Sequence, residues 1–393
     1  MAKFSVKDLA INGKKVFVRV DFNVPFDEDM KITDDTRIRS SLPTIKYILE
    51  QGGIPVIASH LGRPKGKVNP KMSLAPVARR LTELLHRKVI FASDCVGDEV
   101  KKLAKGLKQG DILLLENTRF HPEEKNNDPN FSRELASLAD FYVNDAFGSA
   151  HRAHASVAGI ASYFDEPACG FLMEKEIEYL EDTLKNPQRP LLAIIGGAKV
   201  STKIGVIKNL LNNVDNLVIG GGMCFTFYKA KGYNIGKSLC EDEFIDVAKE
   251  LLDNTKIYLP VDVLIARAPE QGNLIENVDA SVIPDDYCGV DIGEKAKQDI
   301  VEFIKKAKTI VWNGPMGIFE IDDFSKGTEA VANAVADATA GGAISIVGGG
   351  DTVAALSKFD LRDKVSHAST GGGASLEYLE GKELPGIKIL KEK

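Results

Sequence analysis

Short apolar runs, each set apart from the next by a stretch long enough for an amphipathic helix, recur along the whole chain. Crossovers of that length join parallel strands, so the pattern predicts parallel sheets with helices on both faces. In the first half the runs are Val16 to Val20, Val56 to Ser59, Ile112 to Leu115 and Phe141 to Val143. In the second they are Leu191 to Ile195, Leu217 to Ile219, Thr309 to Trp312 and Ile344 to Val347. Ser41 to Gln51, with Pro43 near its first turn, and Ser73 to Leu85, with Leu74, Val77, Leu81 and Leu84 on one face, read as two of the intervening helices. Open parallel sheets bind ligands beyond the carboxyl ends of their strands, so the residues after each run are where chemistry is expected.

At 393 residues the chain is longer than a single core usually grows, roughly 250 to 300, and two domains are the natural division. The fold class read from the pattern is α/β, with two doubly wound, Rossmann-like parallel-sheet lobes at 1–170 and 186–379. Between them Phe171 to Lys185 is a Glu-rich, helix-like run that either bridges the lobes as a hinge helix or packs on one of them. The tail, 380–393, comes after a last short helix and can return to either lobe.

Composition narrows the function classes. No apolar stretch reaches the ~18 residues of a spanning helix, and Met1 to Val20 interleaves Lys and Asp in place of a signal's apolar core, which predicts a cytoplasmic protein with no membrane partner. Five cysteines at wide spacing, without Cys-x-x-Cys, argue against a disulfide framework or a zinc site and read as buried thiols. Residues 1–170 hold 25 Lys+Arg against 22 Asp+Glu, which leaves 25 against 34 for the remainder, and five of six histidines lie in the first part. That asymmetry suits a small anion on the first half; nucleic acid would call for a far more basic domain.

The residues just past the runs change character at mid-chain, from Arg, His, Asp and Asn to glycine. In the second half, Gly196-Gly197-Ala198-Lys199-Val200-Ser201-Thr202-Lys203 reads as a glycine turn opening a helix. Lys199 and Lys203, four apart, then share a face beside helix N-terminal amides and would hold polyphosphate; the plainer alternative is two solvated lysines. Gly348-Gly349-Gly350-Asp351-Thr352 repeats the arrangement, with Asp351 either a magnesium ligand or a helix cap. Thr370-Gly371-Gly372-Gly373-Ala374-Ser375 is a third such turn, opening a helix over Leu376 to Leu379 and suited as a nest for a phosphoryl group. Gly232 to Ser238 mimics a P-loop but has one residue too few between its glycines and no strand before it, and reads as a surface turn.

In the first half Arg37, Arg63, Arg119 and Arg152 each lie near a run's end or the next helix start. Each alone reads as a surface residue; together they suggest a small, multiply charged ligand gripped in bidentate fashion. His60, His151 and His154 lack the partners of a zinc site and fit as hydrogen-bond donors to phosphate. Asp21 and Asn23 suit a substrate hydroxyl, with Asp21 equally able to cap a turn or pair with an arginine.

These segments resemble the phosphoglycerate kinase family over essentially the whole length. The match runs through Val20-Asp21-Phe22-Asn23-Val24-Pro25, Ser59-His60-Leu61-Gly62-Arg63-Pro64, Glu116 to Phe120, Gly196 to Lys203, Trp312 to Glu320, Gly348 to Thr352 and Thr370 to Ser375. The resemblance implies exchange of a phosphoryl group between ATP and the carboxylate of 3-phosphoglycerate, with Mg²⁺, in glycolysis, by a hinge-bending monomer whose C-terminal segment packs back on the first lobe. It implies that Asp21, Phe22, Asn23, Arg37, His60, Leu61, Gly62, Arg63, Arg119 and Arg152 hold the acid. Gly197, Ala198, Lys199, Lys203 and Gly349, Gly350, Asp351 and Thr352 would hold the nucleotide, Glu320 its ribose, and Gly220, Gly221 and Gly289 its adenine. Arg37, Lys199, Lys203 and the Gly372 and Gly373 amides would serve transfer itself. A carboxylate acceptor, with a pKa of about 4, is ionised at neutral pH, so the chemistry needs alignment and charge neutralisation without a general base. A nicotinamide dehydrogenase would need Gly-x-Gly-x-x-Gly where Asp21 to Pro25 stands. A two-lobed anion-binding protein would need the arginines but not the Lys199, Lys203 and Asp351 set.

Overall fold

The computed structural model describes residues 3–273 and 275–393, with the backbone alone at 182–184. It divides into two compact units, Met1–Glu178 with Glu383–Lys393, and Tyr179–Lys382. The helix Phe171–Lys185 is shared between them.

The first unit is built on six strands, β1 (Lys15–Val20), β2 (Ile54–Ala58), β3 (Val89–Phe91), β4 (Ile112–Leu114), β5 (Phe141–Asp145) and β6 (Ala168–Cys169). They pair in parallel in the order β3-β4-β2-β1-β5-β6. All five residues of β2 and the last five of β1 are buried, as a parallel sheet covered on both faces requires. One face packs Val16, Val18 and Val20 against Ile38, Ile45 and Ile48, the other Phe17 and Val56 against Leu113 and Tyr142.

Expected strand positions hold, but helix starts differ. The helix placed at Ser41 to Gln51 runs Thr36–Glu50, so Pro43 lies in its interior and not in its first turn. Asp34 accepts a hydrogen bond from the Thr36 N–H at 2.8 Å and starts the helix early, and the proline removes only one interior bond. This extension places Arg37 in the first turn. The helix expected from Ser73 begins at Ala75, with Pro76 in its first turn.

The C-terminal segment is a strap on the first unit. Gly386 N–H donates to Ala150 O at 2.8 Å, Asn144 Nδ2 to Gly386 O at 3.0 Å and Phe4 N–H to Lys391 O at 2.7 Å. A β-carbon on Gly386 would stand 2.8 Å from Ala150 Cα, so only glycine fits.

The second unit repeats the plan with β7 (Leu191–Ile195), β8 (Asn216–Ile219), β9 (Ile257–Tyr258), β13 (Thr309–Asn313), β14 (Ile344–Gly348) and β15 (His367–Ala368), parallel in the order β15-β14-β13-β7-β8-β9. It also carries a three-stranded antiparallel sheet, β11-β10-β12, from β10 (Asp262–Ala266), β11 (Glu276–Asp279) and β12 (Cys288–Ile292). The alternation of runs and helices gave no sign of it, because β11 is largely exposed and polar and β12 shifts register at a bulge. No described helix is long and apolar enough to cross a membrane. All five cysteines are free; Cys95, Cys169 and Cys224 are buried as expected, whereas Cys240 and Cys288 are partly exposed.

Candidate active site

Strand order dictates where ligands can sit. In the first sheet the chain leaves β1 toward β2 and leaves β5 toward β6, in opposite directions; in the second it leaves β7 toward β8 and β13 toward β14. Adjacent strands with diverging connections open a crevice at their carboxyl ends, one in each unit. Asp21 follows β1 and His151 to His154 come after β5; Gly196 to Lys203 follow β7 and Gly314 to Gly317 follow β13.

The first crevice is a cationic basin held by cross-strand bonds. Phe22 N–H donates to Ser59 Oγ at 2.8 Å, Gly62 N–H to Asn23 Oδ1 at 2.8 Å and Arg119 Nη1 to Gly62 O at 2.9 Å. Asn117 clamps the second loop, accepting from Leu61 N–H at 3.2 Å and donating to Leu61 O at 2.8 Å. Arg37 pairs with Asp21, the arginine-partner role left open for that carboxylate. Arg152 Nε bonds His151 Nε2 at 3.0 Å.

The charges of Arg19, Arg37, Arg119 and Arg152 all act on His60, so the structure gathers three of the four expected arginines and adds Arg19. Arg63 is exposed on the loop. Burial, then the neighbouring Arg19 and Arg152, bring the Arg119 pKa down to about 10. Burial and the cations hold His60 well below its ordinary value and His154 at about 3, so both rings are neutral donors at physiological pH. A buried guanidinium that is expensive to keep charged is relieved by a bound anion, which suits this basin to a small polyanion.

In the second unit a cavity of about 470 Å³ is lined by Gly197, Ala198, Gly221, Gly289, Glu320 and Asp351 among others. Glycine here is a matter of space. A β-carbon on Gly221 (φ +68°) would stand 2.5 Å from Gly197 N, and one on Gly289 only 1.9 Å from the Phe225 ring. Gly220 abuts Met316 in the same way. The loops are laced by Gly196 N–H to Asn313 O at 2.9 Å, Gly197 N–H to Pro315 O at 3.0 Å and Gly314 N–H to Thr352 Oγ1 at 2.7 Å. The Thr352 hydroxyl thus anchors backbone.

Lys199 and Lys203 do not share a helix face. The helix begins at Ile204, Lys203 is its half-buried N-cap and Lys199 sits exposed in the preceding bend. Glu241 causes this by accepting from Ser201 N–H at 2.9 Å and Ser201 Oγ at 2.6 Å, which holds the segment as a turn. Burial lowers the Lys203 pKa to about 8, with the Asp351 charge pulling it back up, and its Nζ donates to Asn313 Oδ1.

Asn313 is the residue that sequence reasoning missed. It is buried, accepts from Lys203 and lies close against Gly348 and Gly349; its place at a strand end, before Gly314-Pro315, was the available signal. Gly350 and Asp351 open the helix Gly350–Lys358, with Asp351 exposed. Gly372 (φ +53°) and Gly373 open the helix Gly373–Leu379, which starts three residues before the expected Leu376. The P-loop mimic is a turn after the helix Cys224–Ala230, and its Ser238 hydroxyl accepts from Gly289 N–H at 2.9 Å.

One cluster with metal-type ligands lies apart from the expected histidines. Asp94, Cys95 and His121 bring their ligand atoms within 4.8 Å of one another. His121 Nε2 and Asp94 Oδ1 already pair at 2.7 Å, and burial pushes the Cys95 thiol well up, so the cluster is an ion pair over a protonated thiol.

Two doubly wound units, one with an arginine basin and one with a glycine-walled pocket and a desolvated lysine, define a phosphotransferase of the two-lobed α/β class. The sequence profile described as Phosphoglycerate kinase matches residues 6–382. Phosphoglycerate kinase of Prosthecochloris aestuarii is 54% identical, over 100% of both chains. Phosphoglycerate kinase 3, cytosolic, of Arabidopsis thaliana is also 54% identical, over 99% of this chain and 98% of that one. The solved phosphoglycerate kinase of Coxiella burnetii superposes with a TM-score of 0.90 at 45% identity, covering 98% of each chain. This chain belongs to the phosphoglycerate kinase family.

Proposed function

We propose that the chain catalyses reversible phosphoryl transfer between ATP and the carboxylate of 3-phosphoglycerate, giving 1,3-bisphosphoglycerate and ADP, as a glycolytic enzyme. The family assignment sets the reaction, and the observation that carries the site assignment is the pair of anion-binding crevices at the two switch points. The acid occupies the first: Arg63, Arg119 and Arg152 take its phosphate with His60 and the Gly62 loop, and Asp21 and Asn23 its hydroxyl. ATP occupies the second, with adenine between Gly220, Gly221 and Gly289, ribose on Glu320, and phosphates on Gly197, Ala198, Lys203 and the Gly349–Thr352 loop.

Mg²⁺ fits this site, because Asp351 presents an exposed carboxylate near Lys203 and magnesium takes one or two protein carboxylates alongside water and phosphate. Bound there, it would neutralise phosphate charge. Arg37, Lys199 and the Gly372 and Gly373 amides then stabilise the equatorial oxygens in flight, with no proton to remove. Donor and acceptor belong to different units, so turnover demands a hinge-closed state with an attack distance of ~3 to 3.5 Å. We further assign the chain as a cytoplasmic monomer, in keeping with the cytosolic plant relative.

A coupled assay with 3-phosphoglycerate and Mg-ATP tests the reading. Wild type should turn over and Lys203→Ala should lose at least a hundredfold in kcat/KM; a wild type inactive on this pair, or an unimpaired variant, would sink it.

A further inference from the structure

Arg19 breaks the apolar run of β1 and is wholly buried. Among the described residues its bonds go to a hydroxyl, a carbonyl and an imidazole, with no carboxylate in direct contact. Nε donates to Ser156 Oγ at 2.8 Å, Nη1 to Val20 O, and Nη2 stands 3.3 Å from His60 Nδ1. Behind Ser156 lies Glu124, also fully buried, which accepts from the Ser156 N–H at 2.9 Å and lies 2.6 Å from its Oγ.

The direction of every bond in this chain is forced. A guanidinium has donors only and a carboxylate acceptors only, so the Ser156 hydroxyl must turn its lone pair to Arg19 and its proton to Glu124. By the same logic His60 Nδ1 must offer a lone pair to Nη2, which leaves the ring proton on Nε2. The competing arrangement, Nδ1–H toward Asp21 Oδ1, spans 3.8 Å and is no hydrogen bond.

We propose that Glu124, Ser156 and Arg19 are positioning residues for the anion basin: a one-way relay that orients His60 and fixes it as the neutral Nε2–H donor. The relay rests on the assignment of the basin to the phosphorylated acid. Burial first, and then the charges of four arginines at 19, 119, 37 and 152, keep the ring uncharged despite the nearby carboxylate of Asp21. His60 therefore offers one fixed proton and no charge, while the arginines supply the charge. An imidazole free to exchange tautomers would present a lone pair to the anion for part of the time.

Long-range ¹H–¹⁵N spectra of the ligand-free full chain, with His60 assigned through His60→Gln, read the tautomer directly. The expected result is Nε2–H, unchanged between about pH 5 and pH 8. A ring protonated on Nδ1, or one titrating in that interval, overturns the relay, and this wild-type spectrum decides even where no variant folds. Arg19→Gln, whose amide can donate or accept, should give mixed tautomers and raise KM for 3-phosphoglycerate roughly tenfold, while burial and the three remaining arginines keep the ring uncharged. Arg19→Lys, again donor only, should restore the single tautomer; a variant ring identical to wild type in Arg19→Gln counts against the relay. Adding 3-phosphoglycerate reads the substrate assignment separately: no shift of the Nε2 proton would refute the basin's ligand while the tautomer result stood.

Discussion

Replacing Lys203 by Met should stabilise the ligand-free second unit while abolishing its use of nucleotide. Burial takes the ammonium pKa from 10.5 to about 8, so at neutral pH the folded state bears a cost for keeping it charged. At 1.36 kcal/mol per pKa unit this is roughly 3 kcal/mol, and partial exposure of the side chain reduces it to about 2 kcal/mol. Met removes that cost but strips the donor from Asn313 Oδ1, a loss of about 1 kcal/mol. The variant should therefore be more stable by about 1 kcal/mol at pH 7.

Linkage sets the sign with pH. The depressed lysine pKa makes the protonated form the costly one, so the wild type bears the full penalty below about pH 8 and sheds it as pH rises toward 10.5. The variant's advantage should shrink through that window and reverse near its top. Trp312 is the only tryptophan, wholly buried in β13 beside Asn313, so urea unfolding tracked by its fluorescence reports the second unit. A variant less stable than wild type at pH 7, or a difference that does not move between pH 7 and about pH 9.5, would refute the account of a desolvated ammonium waiting for phosphate.

Arg37→Ala should lower kcat by about a hundredfold or more while leaving the KM for ATP nearly unchanged, since Arg37 belongs to the first unit and is proposed to act on the group in transfer; equal losses in steady-state kinetics would remove it from that role. Gly221→Ala forces a β-carbon to 2.5 Å from Gly197 N at φ +68°, and should destabilise the second unit by roughly 2 kcal/mol and weaken ADP binding in calorimetry, whereas near-wild-type behaviour would mean the two glycine loops are free to part.

Much of the plan was legible because parallel sheets write themselves as apolar runs. Leu191–Ile195 and Ile54–Ala58 are buried along their whole length and leave no polar residue to confuse the reading. Strand ends were equally plain, since Asp21, His60 and Gly196 each come directly after a run. Helix starts were harder, because they depend on side chains distant in sequence. Glu241, forty residues on from Ser201, keeps Lys199 out of a helix, and Asp34 starts one at Thr36, ahead of the expected Ser41. Arg19 and Glu124 escaped notice for the opposite reason. Inside an apolar run a lone arginine carries no periodic signal, and its partner Ser156 lies 137 residues away. The β10–β12 sheet was invisible because its edge strand β11 is short and polar and its antiparallel pairing is decided by contacts across the fold.

The strap formed by Glu383–Lys393 has a consequence for biosynthesis. A ribosome delivers every strand of the first sheet long before it reaches Gly386, yet the seat between Asn144 and Ala150 stays empty until residues 383–393 emerge. The nascent amino-terminal half must wait, nearly complete, while the whole second unit is made. Chains stalled before residue 383 should accordingly be prone to proteolysis in the half synthesised first.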